Sequence, residues 1–141
     1  MRRVALVAPI VLVALLAAAC GGGAGATTRE ASTALVITLW PKGEGKGPVT
    51  TAQLVCDPVS GTLPDAAAAC AALRTEGGRT ALGPVPADSM CTELWGGPAE
   101  ARIVGIVDGE AVDARLSRAN GCEIARWEAL TAVLPPADLP L

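Results

Sequence analysis

Five cysteines, Cys20, Cys56, Cys70, Cys91 and Cys122, are spread along a chain of 141 residues. The last four lie 14, 21 and 31 positions apart. No C-x-x-C pair occurs, so a zinc ribbon is excluded and cross-linking is the expected use. Four paired cysteines allow three connectivities, and spacing alone does not choose among them. Disulfides imply an oxidising compartment. They also suit a domain of about 120 residues, whose core is small. In the chain-entropy picture, closing a 15-residue loop contributes roughly 3 kcal/mol and a 32-residue loop somewhat more.

The chain has no His, Tyr or Phe, and its aromatic residues are all Trp. Without His there is no Ser-His-Asp or Cys-His pair and no His-built zinc site. No cluster of nucleophile and base is visible, so the chain does not read as an enzyme. No cofactor motif is present. Lys42 to Pro48 is rich in glycine, but no Ser or Thr follows its lysines, so it is no phosphate-binding loop. Asp108, Glu110 and Asp113 lack the spacing and closing Glu of a calcium loop, so no metal is expected. The net charge of −3 argues against a nucleic-acid partner, which requires a basic face.

The first 19 residues read as an address. Met1-Arg2-Arg3 is a positive start, and Val4 to Ala19 is a 16-residue run, apolar but for Pro9. A membrane span needs about 20 residues, so a secretory signal fits better. The run ends Leu16-Ala17-Ala18-Ala19-Cys20 before three glycines. This resembles the lipobox of bacterial lipoproteins, in which the Cys is lipidated and becomes the N-terminus. The residue three before the Cys is Ala17, where Leu is usual. Lipidating Cys20 leaves an even four cysteines. Ordinary cleavage after Ala19 or Ala26 is the other reading. Removal of residues 1–19 leaves nine basic and fourteen acidic residues, a net charge of −5. Residues 20–32 then hold the anchor cysteine and a tether of small polar residues, and 33–141 form the domain.

Within the domain, Ala34 to Trp40 is a dense β-forming run that Pro41 ends. Val49 to Cys56 reads as its antiparallel neighbour. Asp65 is a plausible N-cap for an alanine-rich helix over Ala66 to Arg74, stopped by Gly77-Gly78. Cys70 and Leu73 share its buried face. Arg102 to Val107 and Ala111 to Arg118 read as strands joined by Asp108-Gly109, a two-residue hairpin turn. Cys122 to Leu130 is a candidate helix, and Thr131 to Leu134 a candidate closing edge strand. The fold class is α+β: one antiparallel sheet of about five strands, two short helices and two disulfides.

The stretch from Cys56-Asp57-Pro58 through Gly61-Thr62-Leu63-Pro64 to Ala69-Cys70-Ala71-Ala72-Leu73 resembles the signature of the Streptomyces subtilisin inhibitor family. Leu63 stands where the family has His. Ala34 to Thr38 resembles the family's first strand, and Asp88-Ser89-Met90-Cys91 the approach to its reactive site. Val107-Asp108-Gly109 resembles a family turn, and Asn120-Gly121-Cys122-Glu123 its Asn-Glu-Cys-Glu. The resemblance covers about residues 33–134.

The resemblance implies the disulfides Cys56–Cys70 and Cys91–Cys122. It implies inhibition of serine proteases by a substrate-like loop with the scissile bond Glu93–Leu94. Glu93 would enter the primary specificity pocket and Met90 an apolar pocket three residues upstream. Cys91, Thr92 and Trp95 would complete the contact segment. Thr92 replaces a common Pro, and Gly96-Gly97-Pro98 is one residue longer than the usual spacing, changes expected to loosen the loop. Trp95 is read either as a contact on the leaving-group side or as core cover. The implied partner is a secreted serine protease, subtilisin-like or, given Glu93, glutamate-specific. Homodimers through a sheet face are also implied. The expected location is the outer face of a bacterial membrane, through a lipid anchor, or else the extracellular medium. A different reading keeps the fold but makes the chain a non-inhibitory surface lipoprotein with an envelope partner.

Overall fold

The computed structural model describes residues 32–136. The address segment, Cys20 and the tether up to Ala31 lie outside the described residues. Five strands form one antiparallel sheet: β1 (Thr33–Trp40), β2 (Thr50–Cys56), β3 (Ser60–Gly61), β4 (Glu100–Val107) and β5 (Glu110–Leu116), in the order β3-β2-β1-β4-β5. Three helices, α1 (Ala66–Arg74), α2 (Glu76–Leu82) and α3 (Gly121–Ala129), accompany it. The fold is α+β with two disulfides.

Period-two alternation decides which face of the sheet is covered. Leu35, Ile37 and Leu39 of β1 are buried, as are Ala52 and Leu54 of β2, Ala101 and Ile103 of β4, and Ala114 and Leu116 of β5. Ala69, Cys70 and Leu73 of α1 and Trp127 of α3 join the same core. Cys56–Cys70 fastens β2 to α1 inside it, with both sulfurs' residues buried. Leu63, at the position where a His is usual in the resembling signature, is also buried. An apolar side chain there needs no hydrogen-bond partner.

The β4–β5 turn is as expected. Asp108 and Gly109 both have positive φ, 50° and 83°, which matches the twist of a two-residue hairpin. Asp65 caps α1, its Oδ1 accepting from the Ala68 N–H at 2.9 Å. On the outer face, Arg102 donates to both oxygens of Asp113 at 2.8 and 2.6 Å. This hydrogen bonding holds the Asp113 carboxyl below its ordinary range. The pair therefore stabilises the fold above the unfolded-state carboxylate pKa and stops doing so as pH falls through the lowered folded value.

Three elements differ from expectation. Gly77-Gly78 does not end the helical region, because α2 runs through it. Thr75 breaks α1 and starts α2, its Oγ1 accepting from the Gly78 N–H at 3.0 Å. A Cβ at Gly78 would overlap the Ala72 carbonyl oxygen, so the glycine permits two helices to meet closely. Three helices therefore stand where two were expected. Thr131–Val133 is a 3-10 turn rather than an edge strand. Val133 is fully buried, and the Thr131 hydroxyl donates to the Trp127 carbonyl at 3.2 Å, so the chain continues past α3 as a tight turn packed mainly against α1 instead of pairing. The two-residue β3, too short to carry a pattern, occupies the edge beside β2.

Candidate reactive-site loop

Residues 83–99 join α2 to β4, and within them 89–97 have no regular secondary structure. Pro84 and Pro86 disfavour helix in the residues before them. A turn closed by the Ser89 N–H on the Pro86 carbonyl, at 3.0 Å, then directs the chain outward.

Two backbone hydrogen bonds fasten the segment. The Gly121 N–H donates to the Thr92 carbonyl at 3.0 Å, and the Gly96 N–H donates to the Arg118 carbonyl at 2.7 Å. Cys91–Cys122 adds a covalent tie with a Cα–Cα distance of 5.3 Å. Between these anchors, Glu93, Leu94 and Trp95 form no hydrogen bond among the described residues. Met90 is 99% exposed, Leu94 62% and Trp95 64%. Such apolar side chains held in water form a surface suited to docking.

The support beneath the loop is itself braced. Asn120 caps α3, its Oδ1 accepting from the Glu123 N–H at 3.0 Å. Arg126 of α3 donates to Glu123 at 2.7 Å and to the Ala81 carbonyl of α2 at 3.1 Å. The helix before the loop and the helix under it are thereby locked together. The Arg118 guanidinium lies 6.0 Å from the centre of the Trp127 ring, within the reach of a cation–π contact.

The six residues singled out in the sequence, Met90, Cys91, Thr92, Glu93, Leu94 and Trp95, thus occupy one outward segment. Trp95 is in solvent rather than over the core. The cysteines pair as the resemblance implies, Cys56 with Cys70 and Cys91 with Cys122. The two glycines after Trp95 are not free hinges. Gly96 carries the 2.7 Å bond to Arg118, and Gly97 is buried at a φ of +108°. The supporting roles of Arg118, Gly121 and Ile124 are not visible in the sequence, since nothing local marks a residue that acts by contact across more than 20 positions of chain.

A family model described as subtilisin inhibitor-like matches residues 18–120. The chain belongs to the subtilisin inhibitor-like family. The match runs through β1 to β5 and the whole exposed segment, and stops at Asn120, the cap of α3. No curated protein matches the chain. Members of the subtilisin inhibitor-like family are protease inhibitors, not enzymes, and membership suggests a subtilisin-type serine protease as partner. A disulfide-bonded member of this family is consistent with secretion.

Proposed function

We propose that this domain inhibits a secreted serine protease by offering residues 89–97 as a bound but poorly hydrolysed substrate, with Glu93–Leu94 as the scissile bond. The observation that carries the reading is that an exposed segment without regular secondary structure is fastened on both sides of that bond, by Cys91–Cys122 and Gly121 upstream and by Arg118 downstream.

An extended segment can add as a strand to an enzyme's edge, with main-chain hydrogen bonds providing affinity. Rigidity before binding reduces the ordering cost. In the enzyme, the catalytic serine oxygen bonds to the Glu93 carbonyl carbon, and the Leu94 nitrogen leaves with a proton. Both ends remain tied to α3 and its approach. The Leu94 amine therefore stays beside the ester and can attack it, re-forming the amide and releasing the serine.

Glu93 favours a glutamate-specific protease, since an apolar pocket would strip water from a carboxylate without replacing it by a cation. Met90, Leu94 and Trp95 would fill apolar subsites around it. Removal of residues 1–19, lipidation of Cys20 and a tether over 21–32 would place the inhibitor on the outer face of the cell membrane. The open face of the sheet, where Val36 and Val104 are paired and exposed, is where a homodimer would form.

Mass spectrometry of the mature protein after incubation with glutamate-specific, trypsin-like and subtilisin-like proteases tests this reading. The expected result is a one-to-one complex, with any cleavage confined to Glu93–Leu94, and tightest binding by the glutamate-specific enzyme. Inertness toward all three, or rapid digestion of the loop, would favour a non-inhibitory surface lipoprotein instead.

A further inference from the structure

We propose that Gly121 and Thr92 form a steric lock that sets the backbone just before the scissile bond, which makes Gly121 a positioning residue for inhibition. The proposal rests on Glu93–Leu94 being that bond. The Gly121 N–H donates to the Thr92 carbonyl at 3.0 Å. A Cβ at residue 121 would overlap the Thr92 Oγ1 and lie 3.5 Å from the Thr92 Cβ. In the Thr92 rotamer present, the hydroxyl fills the space a side chain at 121 would take, so a side chain there forces Thr92 to turn or move. The neighbouring residues Cys91 and Cys122 are covalently joined. The dipeptides Cys91-Thr92 and Gly121-Cys122 thus meet through a disulfide, a hydrogen bond and a steric contact.

Helix energetics do not account for this glycine. Gly121 is the first residue of α3, and Ala is the better helix former by up to about 1 kcal/mol. The contact with Thr92 supplies the reason for a side-chain-free position. A second seat has the same logic. Ile124, three residues further along α3, closes on Gly96, where a Cβ would come within 2.9 Å of the Ile124 Cδ1 and 3.2 Å of the Arg118 Cβ. Residues 121 and 124 share one helix face, so α3 supports both flanks of Glu93-Leu94-Trp95.

Thr92 immediately precedes Glu93. A shift of Thr92 therefore moves the carbonyl that the enzyme attacks and the amine that must return to it. Misplacement by about 1 Å can change such a reaction by about a hundredfold. In this case the expected change is loss of resealing. Water then takes the ester, its oxygen going to the Glu93 carbonyl carbon and its protons to the serine oxygen and the freed amine, and the inhibitor becomes a substrate.

The test is a double-mutant cycle on the full mature chain, with a glutamate-specific serine protease as probe. Gly121→Ala is expected to weaken inhibition at least tenfold and to speed cleavage of Glu93–Leu94 at least tenfold, while the thermal midpoint changes by only a few degrees. Thr92→Ala removes the overlapping atom, so Gly121→Ala/Thr92→Ala is expected to match Thr92→Ala alone. Thr92→Val keeps a group where the hydroxyl was, so it gives no rescue. If Gly121→Ala alone fails to fold, recovery of folded protein by Thr92→Ala upholds the lock equally. Inhibition by Gly121→Ala within twofold of the parent, or equal rescue by Val and Ala, overturns it. Should the parent inhibit no protease, the assignment of the scissile bond falls, and amide exchange at residue 121 decides the lock. Faster exchange in Gly121→Ala, reversed by Thr92→Ala, upholds it, and unchanged exchange overturns it.

Discussion

Glu93→Met is expected to strengthen inhibition of a subtilisin-like protease by well over tenfold, and on the order of a hundredfold. Seating a carboxylate in an apolar pocket without a hydrogen-bonding or cationic partner costs at least about 1–3 kcal/mol. Burying a Met side chain there contributes a further 1.5–3 kcal/mol, roughly. Each 1.4 kcal/mol, approximately, is a factor of ten in affinity. Toward a glutamate-specific protease the same change is expected to weaken inhibition by a comparable factor, because the enzyme's cationic group loses its partner. Glu93 is exposed and makes no hydrogen bond among the described residues. The thermal midpoint should therefore stay close to that of the parent, as for other surface changes. Inhibition constants for both enzymes, measured with parent and variant, check this crossed pattern. Unchanged binding to the subtilisin-like enzyme would move the specificity position away from residue 93.

This proposed division between a replaceable recognition residue and its fixed frame bears on what the sequence can convey. β1, the β4–β5 hairpin and α1 are legible because their signals are local. Alternation in Leu35, Ile37 and Leu39, the Asp108-Gly109 turn and the Asp65 cap each act within a few residues. The second helix is illegible for the opposite reason. Gly77-Gly78 carries a local stop signal, and the close approach of Gly78 to the Ala72 carbonyl, which gives that glycine its place inside a helix, does not show in the sequence. The turn of Thr131–Val133 against α1 depends on Val133 finding a buried site, which no periodicity announces. The exposed loop divides the same way. Met90 to Trp95 stand out through a motif, whereas Gly96 and Gly97 read as loosening residues until their contacts with Arg118, Ile124 and the interior are known. Glycine at such positions records the proximity of something distant in sequence.

Replacing both Cys91 and Cys122 by Ser is expected to abolish lasting inhibition while leaving a folded domain at low temperature. The bridge spans a sequence separation of 31. Releasing a loop of that size stabilises the unfolded chain by about 4 kcal/mol in the loop-entropy picture. For a domain of this size the thermal midpoint should fall by about 15–30 °C. The core itself is spared, because Cys91 and Cys122 are only partly buried, whereas Cys56 and Cys70 lie inside it. What then holds the loop is the pair of hydrogen bonds from Gly121 to Thr92 and from Gly96 to Arg118. Each contributes only about 1 kcal/mol net, too little to keep two cut ends in register against exchange with water. The exposed segment can still enter the enzyme, so initial binding survives in weakened form. Cleavage at Glu93–Leu94 should accelerate by more than a hundredfold, which is less than the 4 kcal/mol, roughly, of lost constraint would permit in full. Time courses of intact and cleaved inhibitor, taken well below the lowered midpoint, separate the two effects. A double variant that is folded, uncleaved and as potent as the parent would show that the hydrogen bonds and packing against α3 alone fix the segment.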